Sequence, residues 1–383
     1  MNKQRQQENL LLQILEFMRR DNYSEALYQL LSENLDKLDD DFALVVRQWV
    51  KNKLLITEEL SGATLAALGE FRLIQELTTI VISQFSSFIQ NFNQGNTACN
   101  LEIAIAGYES ILEAISVNSR FFFKQIYQGL DFPAGYEDFV NKDENLLLSS
   151  SGLSSEEWAK NQNNLGNVYR NRVRGKKTEN IERAIACYEK ALQVFTQEDY
   201  LEEWAISKNN LAVAYLEIET GNKLENVNKV FNISVEVLES ITQTSCPIQW
   251  ADANINLAQA YMNRDSSFTE EGIEEAIKYY KKALQVFTKT DFITDWAGTQ
   301  TGLARIYVAR IAGEKQENLK EAIAYCEDAL KIHTRKAFPF EWAKAQYVLG
   351  DSYLQLQGKL ATNVKQAITC YKNALEVYKY ETG

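Results

Sequence analysis

Apolar side chains recur at a helical period through most of the chain, in copies of one 46-residue pattern. In each copy a Trp-Ala pair comes first, Leu stands seven residues after the Trp, and Tyr stands eleven residues after it. At about 100° per residue these three positions share one narrow face of a helix. The pattern predicts five units that each begin with an amphipathic helix. The five tryptophans are Trp158, Trp204, Trp250, Trp296 and Trp342.

A second one-faced apolar run follows in the same unit and predicts a second, antiparallel helix. Gly175, Gly221 and Gly313 lie between the two runs, where a glycine commonly ends a helix. Asn180, Asn226, Gly272 and Asn318 stand just before the second run, and we expect the three Asn side chains to cap its free N–H groups. In the first unit the second run comprises Ile181, Ala184, Ile185, Tyr188, Ala191, Leu192 and Phe195.

The two runs resemble a known repeat. Residues 163–169 read Asn-Asn-Leu-Gly-Asn-Val-Tyr and residues 184–192 read Ala-Ile-Ala-Cys-Tyr-Glu-Lys-Ala-Leu. This looks like the tetratricopeptide repeat, whose pattern is W-x2-L-G-x2-Y followed by A-x3-F/Y-x2-A. The unit here is longer than that repeat, and its Trp lies four residues earlier, which keeps the same helix face. Elongated units of this kind resemble repeats common in cyanobacterial proteins, many of which carry a caspase-like CHAT domain; we expect no CHAT domain in this chain.

The resemblance implies an all-α fold, a right-handed superhelical solenoid of antiparallel helix pairs with an N-terminal helical cap. Residues 1–95 are predicted to form the cap region. Residues 96–157 are predicted to hold a half-repeat helix followed by an aromatic-rich insertion, and residues 158–383 the five repeats. The insertion at 117–157 is too aromatic for a solvated loop. It either packs on the N-terminal helices or enters the groove of the array and limits which partners bind.

The composition argues against several classes of function. The formal charge of −12 argues against a nucleic-acid partner, because phosphate binding depends on Lys and Arg. No window holds about 18 unbroken apolar residues, so no membrane segment is expected. Five irregularly spaced cysteines indicate neither a metal site nor a disulfide framework, and a reducing, cytoplasmic location is the simplest interpretation.

The sequence contains few residues that could catalyse a reaction or bind a metal. His333 is the only histidine, which argues against His-metal sites, Ser-His-Asp triads and the His-Cys dyad of a CHAT protease. Its register matches that of Phe195 and Phe287, so we expect it to be a packed core residue. No phosphate-binding loop occurs. We therefore expect no enzyme activity, no catalytic residue, no metal and no cofactor.

The helix face opposite the Trp-Leu-Tyr stripe is the candidate binding surface. It is rich in Asn, whose amide can both donate to and accept from the backbone of an extended peptide. The resemblance to tetratricopeptide proteins implies peptide recognition on the concave face, and a packing role for the Asn residues is the alternative. The candidate residues are Asn163, Asn164, Asn167, Asn171, Asn209, Asn210, Asn256, Gln259, Asn263, Arg305 and Tyr347.

We therefore interpret the chain as a protein-interaction scaffold that binds a peptide or a partner protein. The alternative is a docking subunit for a separately encoded CHAT-type protease or another effector, and a nucleic-acid-binding repeat is a distant third. The array ends soon after a helix that contains Leu375, without a polar capping helix, so weak self-association through the C-terminal repeat is also expected.

Overall fold

The computed structural model describes residues 3–18, 24–54, 79, 81–90, 97–126, 155–264 and 269–379. Every regular element in this part of the chain is a helix. The chain divides into two compact units, Met1–Thr196 and Gln197–Gly383. The all-helical fold predicted from the repeat pattern is confirmed, with neighbouring helices packed in pairs.

In the first unit, α1 packs on α2 and α3, α3 packs on α4, α4 packs on α5, and α5 packs on α6. The helices therefore follow one another in space much as they do in sequence. Their bounds are α1 Lys3–Phe17, α2 Ser24–Ser32, a 3-10 turn Leu35–Lys37, α3 Asp40–Leu54, α4 Thr97–Ile126, α5 Ser155–Asn171 and α6 Lys177–Ala191.

In the second unit each helix from α7 to α14 packs on the next one along the chain, and the first helices of neighbouring repeats also touch, α7 with α9 and α11 with α13. The bounds are α7 Leu201–Glu217, α8 Lys223–Ser240, α9 Pro247–Arg264, α10 Glu270–Ala283, α11 Ile293–Ala309, α12 Lys315–Leu330, α13 Pro339–Gln355 and α14 Leu360–Lys379.

The Trp-Leu-Tyr stripe forms the core side of the first helix in each repeat. Trp158, Trp204 and Trp296 are buried, as are all five Leu residues of the stripe, while Trp250 and Trp342 are half-buried. The apolar face of the second helix is buried as well: Tyr188 on α6 and Phe195 in the segment that follows it are among the largest fully buried side chains. The helical periods in the sequence therefore identify the core correctly.

A glycine in two of the first helices lets an aromatic ring of the second helix approach. A Cβ atom on Gly166 would lie 2.6 Å from the Tyr188 ring, and one on Gly350 would lie 2.7 Å from the Tyr371 ring. Real Cβ atoms do not approach this closely, so glycine is required at both places. The Gly in the repeat pattern is thus a contact point between the paired helices.

The Asn near the start of the second helix acts differently from the prediction. Asn180 lies within α6, and its amide donates to the carbonyls of Arg172 and Arg174 in the turn before the helix. The prediction that this Asn and its counterparts Asn226 and Asn318 are N-caps is wrong. Their side chains close the turn as donors instead of accepting from the first turn of the helix.

The same closure recurs in later repeats. Asn226 donates to the Thr220 carbonyl, and Asn318 donates to the Ala312 carbonyl. Each of these turns also holds a glycine with positive φ, a conformation that side chains with a Cβ atom rarely adopt. These glycines are Gly175, Gly221 and Gly313.

Ion pairs fasten α5 to the helices before it in the first unit. The Arg172 guanidinium, just after α5, donates to both carboxylate oxygens of Glu102 on α4 at 2.7 and 2.9 Å. Arg174 pairs with Asp40 at the start of α3. Both side chains of the Arg172–Glu102 pair are largely shielded from solvent, so this bidentate contact is less weakened by salt than an exposed pair.

Helix α4 runs to Ile126, so the first part of the insertion at 117–157 continues the half-repeat helix. Residues 127–154 lie outside the described residues, and the two alternatives for the insertion stay predictions, as do the predicted domain boundaries. At the other end, Ile368 and Leu375 on α14 are about half exposed. Self-association through this repeat also stays a prediction.

Candidate functional site

A groove of about 700 Å³ lies in the second unit, and α9, α11 and α13 supply most of its lining. These are the first helices of three successive repeats, and they present to the groove the face opposite their Trp-Leu-Tyr stripes. Phe287, His333 and Phe338 contribute from the segments that connect the repeats. Their rings give the groove an apolar base beneath a partly polar wall.

The groove is open because α11 carries small residues where its neighbours carry large ones. At one lining position α11 has Gly298, whereas α9 has Asp252 and α13 has Lys344. Further along, Thr301 and Gly302 of α11 correspond to Tyr347 and Val348 of α13. With these smaller residues, α11 forms the floor of the groove, and α9 and α13 form its two walls.

Each glycine of α11 faces a different ring. A Cβ atom on Gly302 would lie 2.6 Å from the Tyr280 ring, so this glycine is needed for the packing of α10 on α11. At Gly298 the nearest atom would be Cε1 of His333, at an ordinary contact distance of 3.9 Å, and apart from the adjoining residues and backbone of α11 no other heavy atom of the described structure would lie within 4 Å. The space above Gly298 is therefore an open recess that leads to His333.

His333 is a core residue, as its register predicts, and only 2% of its surface is exposed. Its ring lies 5.3 Å from that of Phe338, centroid to centroid. Within the described residues, no hydrogen-bond partner reaches its buried Nδ1 atom. Burial lowers the pKa of the imidazole below its usual 6.5, although the carboxylates of Glu341 and Asp295 act in the opposite direction. An imidazole ring that is neutral at pH 7 is compatible with the apolar bottom of the groove.

Charge is distributed unevenly along the groove. Asp295 and Glu341 lie at the His333 end, together with Lys344. Arg305 is ten residues beyond Asp295 on α11, which places it roughly 15 Å further along the helix axis. In the described part of the chain neither Arg305 nor Lys344 forms an ion pair. An acidic end and a basic end are therefore both available to a ligand.

The groove brings together three of the residues that the sequence predicts for binding. Gln259 is half-buried, Arg305 is exposed, and Tyr347 is 52% exposed with its ring 5.7 Å from that of Tyr371. All three line the groove. An exposed Tyr above an apolar floor offers a large contact surface at a small cost in side-chain entropy.

The predicted Asn residues do not form one exposed row. Asn163, Asn209 and Asn256 are buried. Asn209 donates to the Gln249 carbonyl at 2.9 Å, and the Asn256 amide lies 3.4 Å from the side-chain oxygen of Asn209. These two amides thus link α7 to α9.

The other Asn residues are more accessible. Asn171 is exposed, while Asn164, Asn167, Asn210 and Asn263 are half-buried. Asn167 accepts a hydrogen bond from the Tyr188 hydroxyl, and Asn263 donates to the Gln259 carbonyl. A role in peptide binding for the Asn residues stays a prediction, and part of their recurrence has a packing explanation.

Several groove residues are not among those that the sequence predicts. Gly298, Asp295, Glu341 and Lys344 line the groove beside His333. The one sequence signal for them is the loss of a side chain at position 298, where the other four repeats have Lys160, Ile206, Asp252 and Lys344. Recognising that signal requires aligning the repeats position by position.

Two further properties of the described residues bear on function. No group of three or more His, Cys, Asp or Glu side chains in these ranges is arranged to hold a metal ion. No helix of this part of the chain is both long and apolar enough to cross a membrane. All five cysteines are free and buried.

Comparison with known families agrees with the repeat geometry. Three segments match the Sel1 repeat, a repeat similar to the tetratricopeptide repeat: residues 162–193, 251–285 and 343–376. The chain is a repeat protein. The matched segments coincide with the helix pairs α5–α6, α9–α10 and α13–α14. Sel1 repeats are generally protein–protein interaction modules, and no enzyme family was found. None of the curated proteins matches the chain.

Proposed function

We propose that the chain is an interaction scaffold whose α9–α11–α13 groove binds an extended segment of a partner protein. The observation that carries the proposal is the groove itself, with Gln259, Arg305 and Tyr347 on its walls. Its volume of about 700 Å³ lies in the range of sites that bury a ligand. The similarity to Sel1 repeats supports a protein as the ligand.

The form of the groove favours an extended segment over a folded domain. Its walls are helices that run side by side, and roughly 15 Å along α11 corresponds to four or five residues of an extended chain. Tyr347 and Arg305 are exposed, and Tyr and Arg commonly dominate the binding energy at interfaces. A separately encoded CHAT-type effector is one partner that the resemblance implies, and its peptides can be assayed in the same way.

The proposed location is the cytoplasm. Its support is the set of five free, buried thiols. Burial raises the pKa of the Cys187 thiol to about 12, so this side chain stays protonated and unreactive at neutral pH. Such cysteines act as small apolar core residues, which suits a reducing compartment.

The test uses a displayed library of random dodecapeptides, selected on the immobilised full-length protein. Peptides that are enriched are synthesised, and their affinities are measured by fluorescence anisotropy. We expect Tyr347→Ala to weaken them about tenfold, a loss of about 1.4 kcal/mol. Tyr28→Ala is the matched control, because this Tyr is also exposed, lies on α2 and does not line the groove. Equal binding by wild type and Tyr347→Ala would show that the groove is not the binding site.

A further inference from the structure

Gly298 has no packing explanation. A glycine within a helix is less favourable than any residue other than proline, because it loses the most backbone entropy. At Gly302 the Tyr280 ring accounts for the glycine, but a Cβ atom on Gly298 would meet only one atom, at 3.9 Å. Gly298 is exposed and lies within α11. The recess that it creates is the feature left to explain.

The recess has the properties of a subsite for one apolar side chain. Its base is the His333 ring, which is buried, and Phe338 lies beside this ring. Phe287 lines the same groove. A bulky apolar side chain that entered above Gly298 would lose contact with water and gain contact with the His333 ring, whose Cε1 atom lies nearest to this position. Both changes favour binding, because the free energy gained on binding grows with the apolar surface that is removed from water.

The charges on either side of the recess set the order of residues in a ligand. Asp295 lies three residues before Gly298, roughly 4.5 Å along the helix. Glu341 lies near the same end, since both carboxylates act on the His333 ring. Arg305 lies seven residues after Gly298, which is roughly 10 Å along the helix. The two ends of the groove therefore differ in sign.

The charges level with the recess do not alter this polarity. Lys344 and Asp252 occupy the position of Gly298 on the two neighbouring first helices, and both line the groove. Lys344 acts on the His333 ring against Glu341 and Asp295, so one cation faces two carboxylates there and this end of the groove keeps a negative balance. The middle of the groove is left to select on shape and apolar contact.

We propose that the groove recognises a peptide with a bulky apolar residue in the Gly298 recess, a basic residue at Asp295 and Glu341, and an acidic residue at Arg305. At about 3.3 Å per residue of extended chain, the basic residue lies one or two positions from the apolar one. The acidic residue lies about three positions away on the other side. This inference rests on the proposed function and specifies the peptide that the groove selects.

The experiment repeats the library selection on four full-length proteins: wild type, Gly298→Ala, Gly298→Leu and Arg305→Glu. Wild type is expected to enrich the basic-apolar-acidic order, in either chain direction. Gly298→Ala adds one methyl group and should keep the affinity of these peptides within about twofold. Gly298→Leu fills the recess and should weaken them at least tenfold. Arg305→Glu should enrich a basic residue in place of the acidic one.

The controls separate this inference from the proposed function. Both substitutions at the exposed Gly298 replace glycine by better helix formers, so the unfolding midpoint should stay equal or rise. Lys320→Glu makes the same charge change as Arg305→Glu on α12, outside the groove, and should leave the selected peptides unchanged. Tight binding by Gly298→Leu, or enrichment without an apolar residue, would overturn the inference. If Tyr347→Ala still weakens binding in that case, the proposed function stands; if it does not, both fail.

Discussion

Two helices of the second unit use the same face for different purposes. On α7 this face carries Asn209, whose amide is buried and hydrogen-bonded to the backbone of α9. On α11 the equivalent residue is Thr301, which lines an open groove. The two helices have the same position in the repeat and the same core stripe. The repeat thus fixes where a side chain points, and the identity of the side chain decides whether neighbouring helices close together or leave room for a ligand.

The largest expected effect tests what α7 and α11 share. Both Trp204 and Trp296 are buried on the core stripe. Trp204→Ala and Trp296→Ala should therefore each reduce the free energy of unfolding by about 3–5 kcal/mol. Chemical denaturation of the full chain measures this loss. Similar losses would show that the two helices differ only on the groove side. A loss below about 1 kcal/mol at either position, the size of an ordinary surface change, would mean that its stripe does not form the core.

A smaller effect tests how α7 and α11 differ. Asn209→Ala removes a buried amide that donates to the Gln249 carbonyl and accepts from the Asn256 amide, and so breaks both side-chain links to α9. We expect this change to cost about 1–3 kcal/mol of the free energy of unfolding. Thr301→Ala is the matched change on α11, where the Thr301 hydroxyl donates to the Ala297 carbonyl of its own helix and, within the described ranges, to no other group. Its effect should stay within the small range typical of surface substitutions. Equal losses in denaturation experiments would contradict the comparison.

The smallest expected effect concerns the base of the α11 groove. Burial lowers the pKa of His333. Below about pH 6.5 the unfolded chain therefore binds a proton that the folded chain does not. Stability from this residue is present above its unfolded pKa and decreases as the pH falls towards its folded pKa.

His333→Phe should remove that contribution, since Phe287 stands at the same register in the preceding repeat. The decrease in the urea midpoint between pH 7.5 and pH 5.5 should be smaller in the variant than in wild type. Carboxylates such as Glu341 and Asp295 titrate in both proteins, so the difference between the two isolates the histidine. A larger decrease in the variant would mean that His333 is charged in the fold.

The sequence predicts the helices and the core because both depend on periods within one repeat. The positions of Leu165, Tyr188 and Phe195 follow from a 3.6-residue period alone. Contacts between repeats are harder to predict: Asn209 is buried because α9 lies against it, and nothing in the period of α7 indicates this. The exposure of Arg305 and Tyr347 follows from the helix face, whereas the recess depends on a missing side chain.

The turn between paired helices is closed by atoms of a single repeat. The Asn226 amide binds the Thr220 carbonyl, and the Asn318 amide binds the Ala312 carbonyl, so both partners of each bond belong to one unit. Each of these turns can therefore keep its geometry whichever repeat precedes or follows it. The 46-residue unit is in this sense a cassette, and duplication, loss or exchange of whole cassettes would lengthen, shorten or retune a binding protein without any corner being rebuilt.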